Sequence, residues 1–206
     1  RHRFTAGHSQ RVTEYSRIVA DEIGLDAGQL ETIKYAALLH DIGKIGIQDS
    51  VLLKNGPFTP EDREEMNKHP AKTFSILNKF HFPKRLEQVP LVATYHHEKI
   101  DGSGYFEGLA GSEIPFGSRI LAVADVFDAL TSRRDYPKYT KDAILGHNPM
   151  PLAKAVKIMK EGAGSHFDQE VVNAFLSCLP KILTLYRGTH FPPEYVDEMI
   201  ASLQAG

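Results

Sequence analysis

Apolar residues along the chain recur at three- and four-residue spacing with no sustained two-residue alternation, a pattern that predicts an all-α fold. Val12, Tyr15, Val19 and Ile23 share one face of a first helix that Thr5 caps and Gly24 closes, with His8 in its first turn. Asp26 and Gln29 form a capping box ahead of Leu30, Ile33, Ala37 and Leu38; this second helix carries His40 and Asp41 on its last turns and runs out at Gly43 and Gly46. After a polar loop with Asn55, Gly56 and Pro57, Thr59-Pro60 opens a third helix that Pro70 stops or kinks near His69. Pro90 opens a short helix bearing Tyr95, His96, His97 and Glu98, and Gly102, Gly104, Gly108, Gly111 and Pro115 mark a tightly folded loop. Ile120 to Leu130 is a strongly apolar helix with Asp125 and Asp128 inside it. Beyond a polar, aromatic stretch from Arg133 to Asn148, amphipathic helices are expected over about Pro151–Glu161, Asp168–Leu179 and Pro193–Leu203, and no internal repeat stands out.

Composition narrows the partners. With 24 Lys+Arg against 26 Asp+Glu the net charge is −2, so no basic field advertises duplex nucleic acid. The longest apolar runs, such as Ile120 to Ala124, fall far short of the ~20 residues a bilayer span needs. Cys178 is the single cysteine, which forbids an internal disulfide and a cysteine-rich zinc site and suits a reducing cytosol. Any metal must then be held by histidine and carboxylate. The 206 residues suffice for one large domain, and the opening at Arg1, without a methionine and close to a helix, leads us to expect a fragment of a longer chain with a regulatory domain upstream.

Ten histidines are many for this length, and two of them stand directly before another candidate ligand, in His40-Asp41 and His96-His97. A lone buried histidine is ordinarily a hydrogen-bonded core residue; two such doublets do not fit that reading. Asp41 lies among Ala36, Ala37, Leu38, Leu39 and Ile42, and Asp125 among Val123, Ala124, Val126 and Phe127, so each carboxylate needs a buried partner or a metal.

The succession His8, His40-Asp41, His69, His96-His97, Asp125 resembles the HD-GYP subgroup of the HD-domain phosphohydrolases. The likeness runs through Thr5-Ala6-Gly7-His8-Ser9, His40-Asp41-Ile42-Gly43-Lys44, His96-His97-Glu98 with Asp101-Gly102-Ser103-Gly104-Tyr105, Arg119 to Asp125, and Gly162 to Asp168. It implies an HD-domain core of about five helices over residues 1–140, a helical extension over 141–206, and a bacterial cytoplasmic signalling enzyme. It also implies that His8, His40, Asp41, His69, His96, His97 and Asp125 hold two divalent ions, iron or manganese foremost, with nickel or zinc also compatible. Asp41, with two oxygens, is the bridging candidate; His40, Asp41, Asp125 and nearby His8 would serve one ion and Asp41, His69, His96 and His97 the other. Members with a third metal carry a Glu where this chain has Phe4, hence the expectation of two.

Two departures bear on substrate and partners. Gly104-Tyr105-Phe106 stands where the subgroup has Gly-Tyr-Pro, which frees the backbone of a loop that would contact signalling partners. After Leu130-Thr131-Ser132, the usual Arg-Pro-Tyr-Arg becomes Arg134-Asp135-Tyr136-Pro137, leaving Lys138 as the displaced second cation. Lys44 can meet a phosphate oxygen or simply sit solvated at a helix end; Arg134 can clamp phosphate or form a surface ion pair; Tyr105 and Phe106 can stack on a guanine or staple their loop. Asp128, one turn after Asp125, is placed to orient a ligating histidine, whereas His166 belongs to a helix start capped by Asp168, and His2, His81, His147 and His190 read as surface residues. The leading expectation is a phosphodiesterase that opens cyclic di-GMP to pGpG, and on to GMP, with a hydroxide held between the ions. The alternatives are a phosphodiesterase for another dinucleotide, such as 3′,3′-cyclic GMP-AMP or pGpG, and a silent cyclic-dinucleotide receptor; a homodimer is compatible with each.

Overall fold

Helix α1 (Arg3–Ile23) begins ahead of Thr5, which therefore lies inside the helix and does not cap it. The computed structural model describes residues 3–54, 56–132, 138–139, 144–146 and 150–204, and for 3–6, 138–139, 144–146 and 202–204 the backbone alone. The chain leaves α1 through a turn in which the Gly24 and Leu25 amides donate to the Asp21 and Ala20 carbonyls. Asp26 and Gln29 complete their capping box at the start of α2 (Ala27–Leu39).

The ends of α2 and its successors position the chemistry. α2 stops at Leu39, so His40 and Asp41 fall just beyond it and lead into a 3-10 turn over Ile42–Gly46. Close packing shapes that turn: a Cβ on Gly43 would stand 2.0 Å from the His69 carbonyl oxygen and 2.5 Å from the Thr73 nitrogen. The Thr73 hydroxyl clasps the turn from both sides, accepting from the Gly43 amide (3.0 Å) and donating to the His40 carbonyl (3.0 Å). After α3 (Asp49–Leu52), Thr59 caps α4 (Pro60–Met66) with Asp62 completing the box. The expected break near His69 is real, and Pro70 sits in the first turn of a new helix, α5 (His69–Leu77). Pro90 likewise opens α6 (Val89–Thr94), but Tyr95–His97 form a separate 3-10 turn and Glu98 is already extended.

Helix α7 (Phe116–Thr131) starts four residues before Ile120, and its middle is buried on nearly every side. Strands β1 (Lys138–Tyr139) and β2 (Ile144–Gly146) pair antiparallel, a small exception to the all-α architecture. Then follow α8 (Leu152–Glu161), α9 (Gln169–Leu185) and α10 (Pro193–Gln204). α9 runs past the expected end at Leu179, straight through Pro180. Proline inside a helix costs about 3 kcal/mol, but stopping there would expose Ile182 and Leu183, both 0% exposed and each worth about 1.5–3 kcal/mol of burial.

Helices α1, α2, α5, α6 and α7 form the expected five-helix core: α1 packs on α2 and α7, and α6 on α2, α5 and α7. α9 lies against α1 and α7, where Tyr15, Phe127 and Phe175 meet edge to face at 5.8 and 4.8 Å. Among the described residues no helix is long and apolar enough to cross a membrane.

Gly43→Ala should destabilise the domain by about 1–3 kcal/mol, because its methyl would meet the His69 and Thr73 backbone and the Thr73 hydroxyl that clasps the turn. Urea unfolding followed by circular dichroism measures this, and an unchanged midpoint would contradict the packing described.

Candidate metal centre

Five separate segments deliver the seven residues: α1 brings His8, the turn after α2 His40 and Asp41, the start of α5 His69, the turn after α6 His96 and His97, and α7 Asp125. Their orientation is set locally. The Nδ1–H groups of His40, His69 and His96 each donate to the carbonyl three residues back, on Ala37 (2.7 Å), Met66 (2.8 Å) and Ala93 (2.7 Å). A carbonyl can only accept, so each ring carries its proton on Nδ1 and presents a bare Nε2 to the centre. His8 repeats the arrangement with Nδ1 on Asp128 Oδ2 at 2.8 Å.

The inward atoms crowd together. His8 Nε2 lies 3.2 Å from Asp125 Oδ1 and 3.9 Å from Asp41 Oδ2, and His40 Nε2 is 3.5 Å from the same Asp41 oxygen and 4.0 Å from Asp125 Oδ1. The other Asp41 oxygen, Oδ1, faces His69 Nε2 at 3.5 Å, so the carboxylate straddles two groups, His8-His40-Asp41 and His69-His96-His97. Within each group the donor atoms lie within 4.8 Å of one another. His69 Nε2 and His96 Nε2 are 3.5 Å apart with neither able to donate to the other in the neutral form. His40 Nε2 and Asp41 Oδ1 are buried without a hydrogen-bond partner. Lone pairs converging this closely, beside an orphaned carboxylate oxygen, fit a bound cation; imidazole and carboxylate are donors that first-row divalent metals accept.

Electrostatics agrees with that donor set. Burial pushes the His96 imidazole well down and takes His69 to about 4 and His97 to about 3, with Lys44 adding to it for the latter two, so all three are neutral donors at pH 7. Burial would raise Asp41 and Asp125, but Lys44 and His40 beside the first, and the His8 hydrogen bond to the second, outweigh it and hold both well below the usual carboxylate range. Burial would lower His8, yet its bonds to Asp125 and Asp128 lift it to about 9.

Other sequence-predicted residues divide. Lys44 is at the centre, its Nζ 2.5 Å from Asp41 Oδ2 and its side chain 34% exposed. Tyr105 stacks on His97 at 4.7 Å and 25°, while Phe106 packs against Phe74 and Tyr95 as a staple. Among the described residues Phe106 alone joins a side chain to a positive φ, 144°, which no proline can adopt. This loop is therefore built for a residue other than proline, and Glu98 ties it down by accepting the Glu107 and Gly108 amides at 2.7 and 3.0 Å. Asp128 does orient His8, and Asp168 caps α9 with His166 just before it. His81 is exposed, as expected. Arg134, His2 and His147 lie outside the described residues, as do the side chains of Lys138 and Phe4.

Two contributors were missed. Arg11 grips Asp128 through Nε and Nη2 at 2.6 and 2.9 Å, a residue legible as the i+3 neighbour of His8 on the same face. His190, read as a surface residue, is instead 15% exposed beside Asp128, which no spacing in the sequence announced.

The HD-domain family model matches residues 1–171. A cyclic di-GMP phosphodiesterase of Thermotoga maritima is 42% identical over 183 residues, 89% of this chain and 47% of that protein. A 3′3′-cGAMP-specific phosphodiesterase of Vibrio cholerae is 44% identical over 177 residues, 85% of this chain and 32% of that protein. The chain thus spans about half or less of these relatives. Among solved structures, an HDG"Y"P protein from Bdellovibrio bacteriovorus superposes with a TM-score of 0.63 at 23% identity, over 85% of this chain and 52% of that one. The matched segment contains all seven convergent residues, and the chain belongs to the HD-domain family.

Proposed function

We propose that this chain is the hydrolytic domain of a cyclic-dinucleotide phosphodiesterase that opens cyclic di-GMP to pGpG, and on to GMP. The observation that carries the reading is Asp41 standing between two histidine groups with one oxygen toward each. In this reading His8, His40, Asp41 and Asp125 hold one divalent ion and Asp41, His69, His96 and His97 a second, iron or manganese foremost. Residues 1–140 then carry the centre and 141–206 brace it. Divalent ions held there supply Lewis acidity, neutralising phosphate oxygens and bringing the pKa of coordinated water towards about 7.

The protein's own groups do the rest. The Nδ1 ties hold each ring in place, so no reorganisation is needed when substrate arrives. Lys44, half-buried beside Asp41, donates to a non-bridging phosphate oxygen, with Arg134 and Lys138 as further phosphate contacts. The Tyr105 ring, stacked on His97, borders that histidine group and offers its other face to a purine. Phe106 is turned inward, leaving Glu107 and Gly108 as the exposed part of that loop for any partner.

A second reading, cleavage of 3′,3′-cyclic GMP-AMP, draws on the Vibrio cholerae relative. Both substrates carry 3′,5′-phosphodiesters and differ in one base, so the same centre serves either. Retention of every donor argues against a silent receptor, which has no use for them.

Incubating metal-loaded protein separately with the two dinucleotides and identifying products chromatographically decides between them; no cleavage of either, with metal bound, would refute the hydrolase reading. Asp41→Ala should lower kcat by at least about a thousandfold and deplete metal together, read by elemental analysis. Lys44→Ala should raise KM about 10–100-fold while metal content stays unchanged. Since His8 holds a proton up to about pH 9, an ion binding its Nε2 must displace that proton. Affinity at the His8 group should therefore fall about tenfold per unit as pH is lowered from 8 to 6, while the already neutral His69-His96-His97 group changes little. Calorimetric titration in buffers of different ionisation enthalpy counts the released proton.

A further inference from the structure

The turn that leads into α9 occurs twice. Gly164-Ser165-His166-Phe167 follows α8, and Gly188-Thr189-His190-Phe191 follows α9, a repeat not apparent from the helical pattern. The two match bond for bond. Gly164 and Gly188 have φ of 80° and 74°, and their amides donate to the Phe167 and Phe191 carbonyls at 2.8 Å in both copies. The histidine and phenylalanine amides of each copy donate to one carbonyl, that of Gly162 (2.9 and 2.9 Å) or of Tyr186 (3.0 and 3.0 Å). Ser165 and Thr189 hydroxyls donate to the same two carbonyls, at 3.3 and 3.1 Å.

The copies put their histidines to different use. His166 stacks on its own neighbour Phe167 at 4.3 Å and 23°. The second turn docks on α7, with Phe191 buried against Phe127 at 6.3 Å, and this carries His190 Nε2 to 3.5 Å from Ser132 Oγ and 3.9 Å from Asp128 Oδ1. Those are the outer groups of the Asp128 cluster, whose inner oxygen holds His8. The hydroxyl proton of Ser132 goes to Asp128 Oδ2 at 2.9 Å, and its oxygen accepts from Arg11 Nη2 at 3.0 Å. Ser132 has no second proton to give, so His190 must be the donor, through Nε2–H. The copy that supplies it lies beyond residue 171, where the HD-domain match ends.

We propose that His190 is a positioning residue for the His8 arm of the centre: by donating to the outer side of the Ser132–Asp128 pair it keeps the Asp128 carboxylate turned toward His8 Nδ1 and Arg11. The C-terminal segment thereby adds a support to the centre by reusing a turn that already precedes it. The inference rests on the metal reading above, because the function of a fixed His8 is to aim Nε2 at an ion.

The test is cobalt(II) titration of the full chain, followed by visible absorption, for wild type, His190→Phe, His190→Gln and His166→Phe, with thermal melts of each. Glutamine places an N–H near the position of Nε2–H; phenylalanine keeps the ring and loses the donor. His190→Phe should weaken one of the two binding steps about tenfold and spare the other, His190→Gln should restore it to within about threefold, and His166→Phe should leave both steps unchanged. Wild-type affinity at both steps in His190→Phe would overturn the proposal. So would equal weakening in the glutamine variant together with a lowered melting temperature, which is the mark of packing alone. A wild type that takes up no cobalt would overturn the metal reading and this inference with it.

Discussion

A buried carboxylate facing imidazole nitrogens that carry lone pairs is the constraint around which this domain is organised. Asp41 is 8% exposed, one of its oxygens has no hydrogen bond, and the His40 and His69 rings beside it have their protons on the far side. An isolated ionised carboxylate in such surroundings costs several kcal/mol even after relaxation. Lys44 offsets part of this from the rim, and the convergent Nε2 atoms are stabilised only by positive charge placed among them. An arrangement this costly without a ligand is the physical signature of a site built to hold cations.

What keeps the donors from relaxing apart is backbone geometry. His40, His69 and His96 are each tethered to a carbonyl three residues back, at or just beyond a helix end, so a single local hydrogen bond aims the ring. The Thr73 hydroxyl and the missing side chain of Gly43 then lock two of those ends together. His8 has no such carbonyl within reach and takes Asp128 instead, which is in turn held by Arg11, Ser132 and the C-terminal turn. The first three rings are oriented by local chain geometry, whereas the fourth depends on residues from α1, α7 and the segment after α9.

The loop after the paired histidines shows how one substitution redistributes these demands. With φ of 144° Phe106 carries strain of about 1–3 kcal/mol, offset by packing its ring between Phe74, just beyond the His69 turn, and Tyr95, just before His96. Two elements that bring histidines to the centre are thus joined through a loop residue, and the Glu98 carboxylate, accepting two amides, closes the same loop from within.

Much of this was legible in the chain, because the signals were local. Three- and four-residue apolar spacing specified the helices, the capping box at Asp26 and the Thr59-Pro60 pair specified where two of them begin, and the doublets His40-Asp41 and His96-His97 beside apolar runs announced a buried polar centre. Helix ends were less legible. α9 continues through Pro180 because Ile182 and Leu183 are buried by helices distant in sequence, and α2 ends before His40 because Gly43 must meet α5; neither partner is near in the chain. The residues themselves determined an all-α domain with a histidine–carboxylate centre. Tertiary structure alone decided that Asp41 stands between two groups, that His190 stands behind His8, and that Phe106 turns inward, since each depends on contacts between segments whose separation along the chain carries no trace of their distance in space.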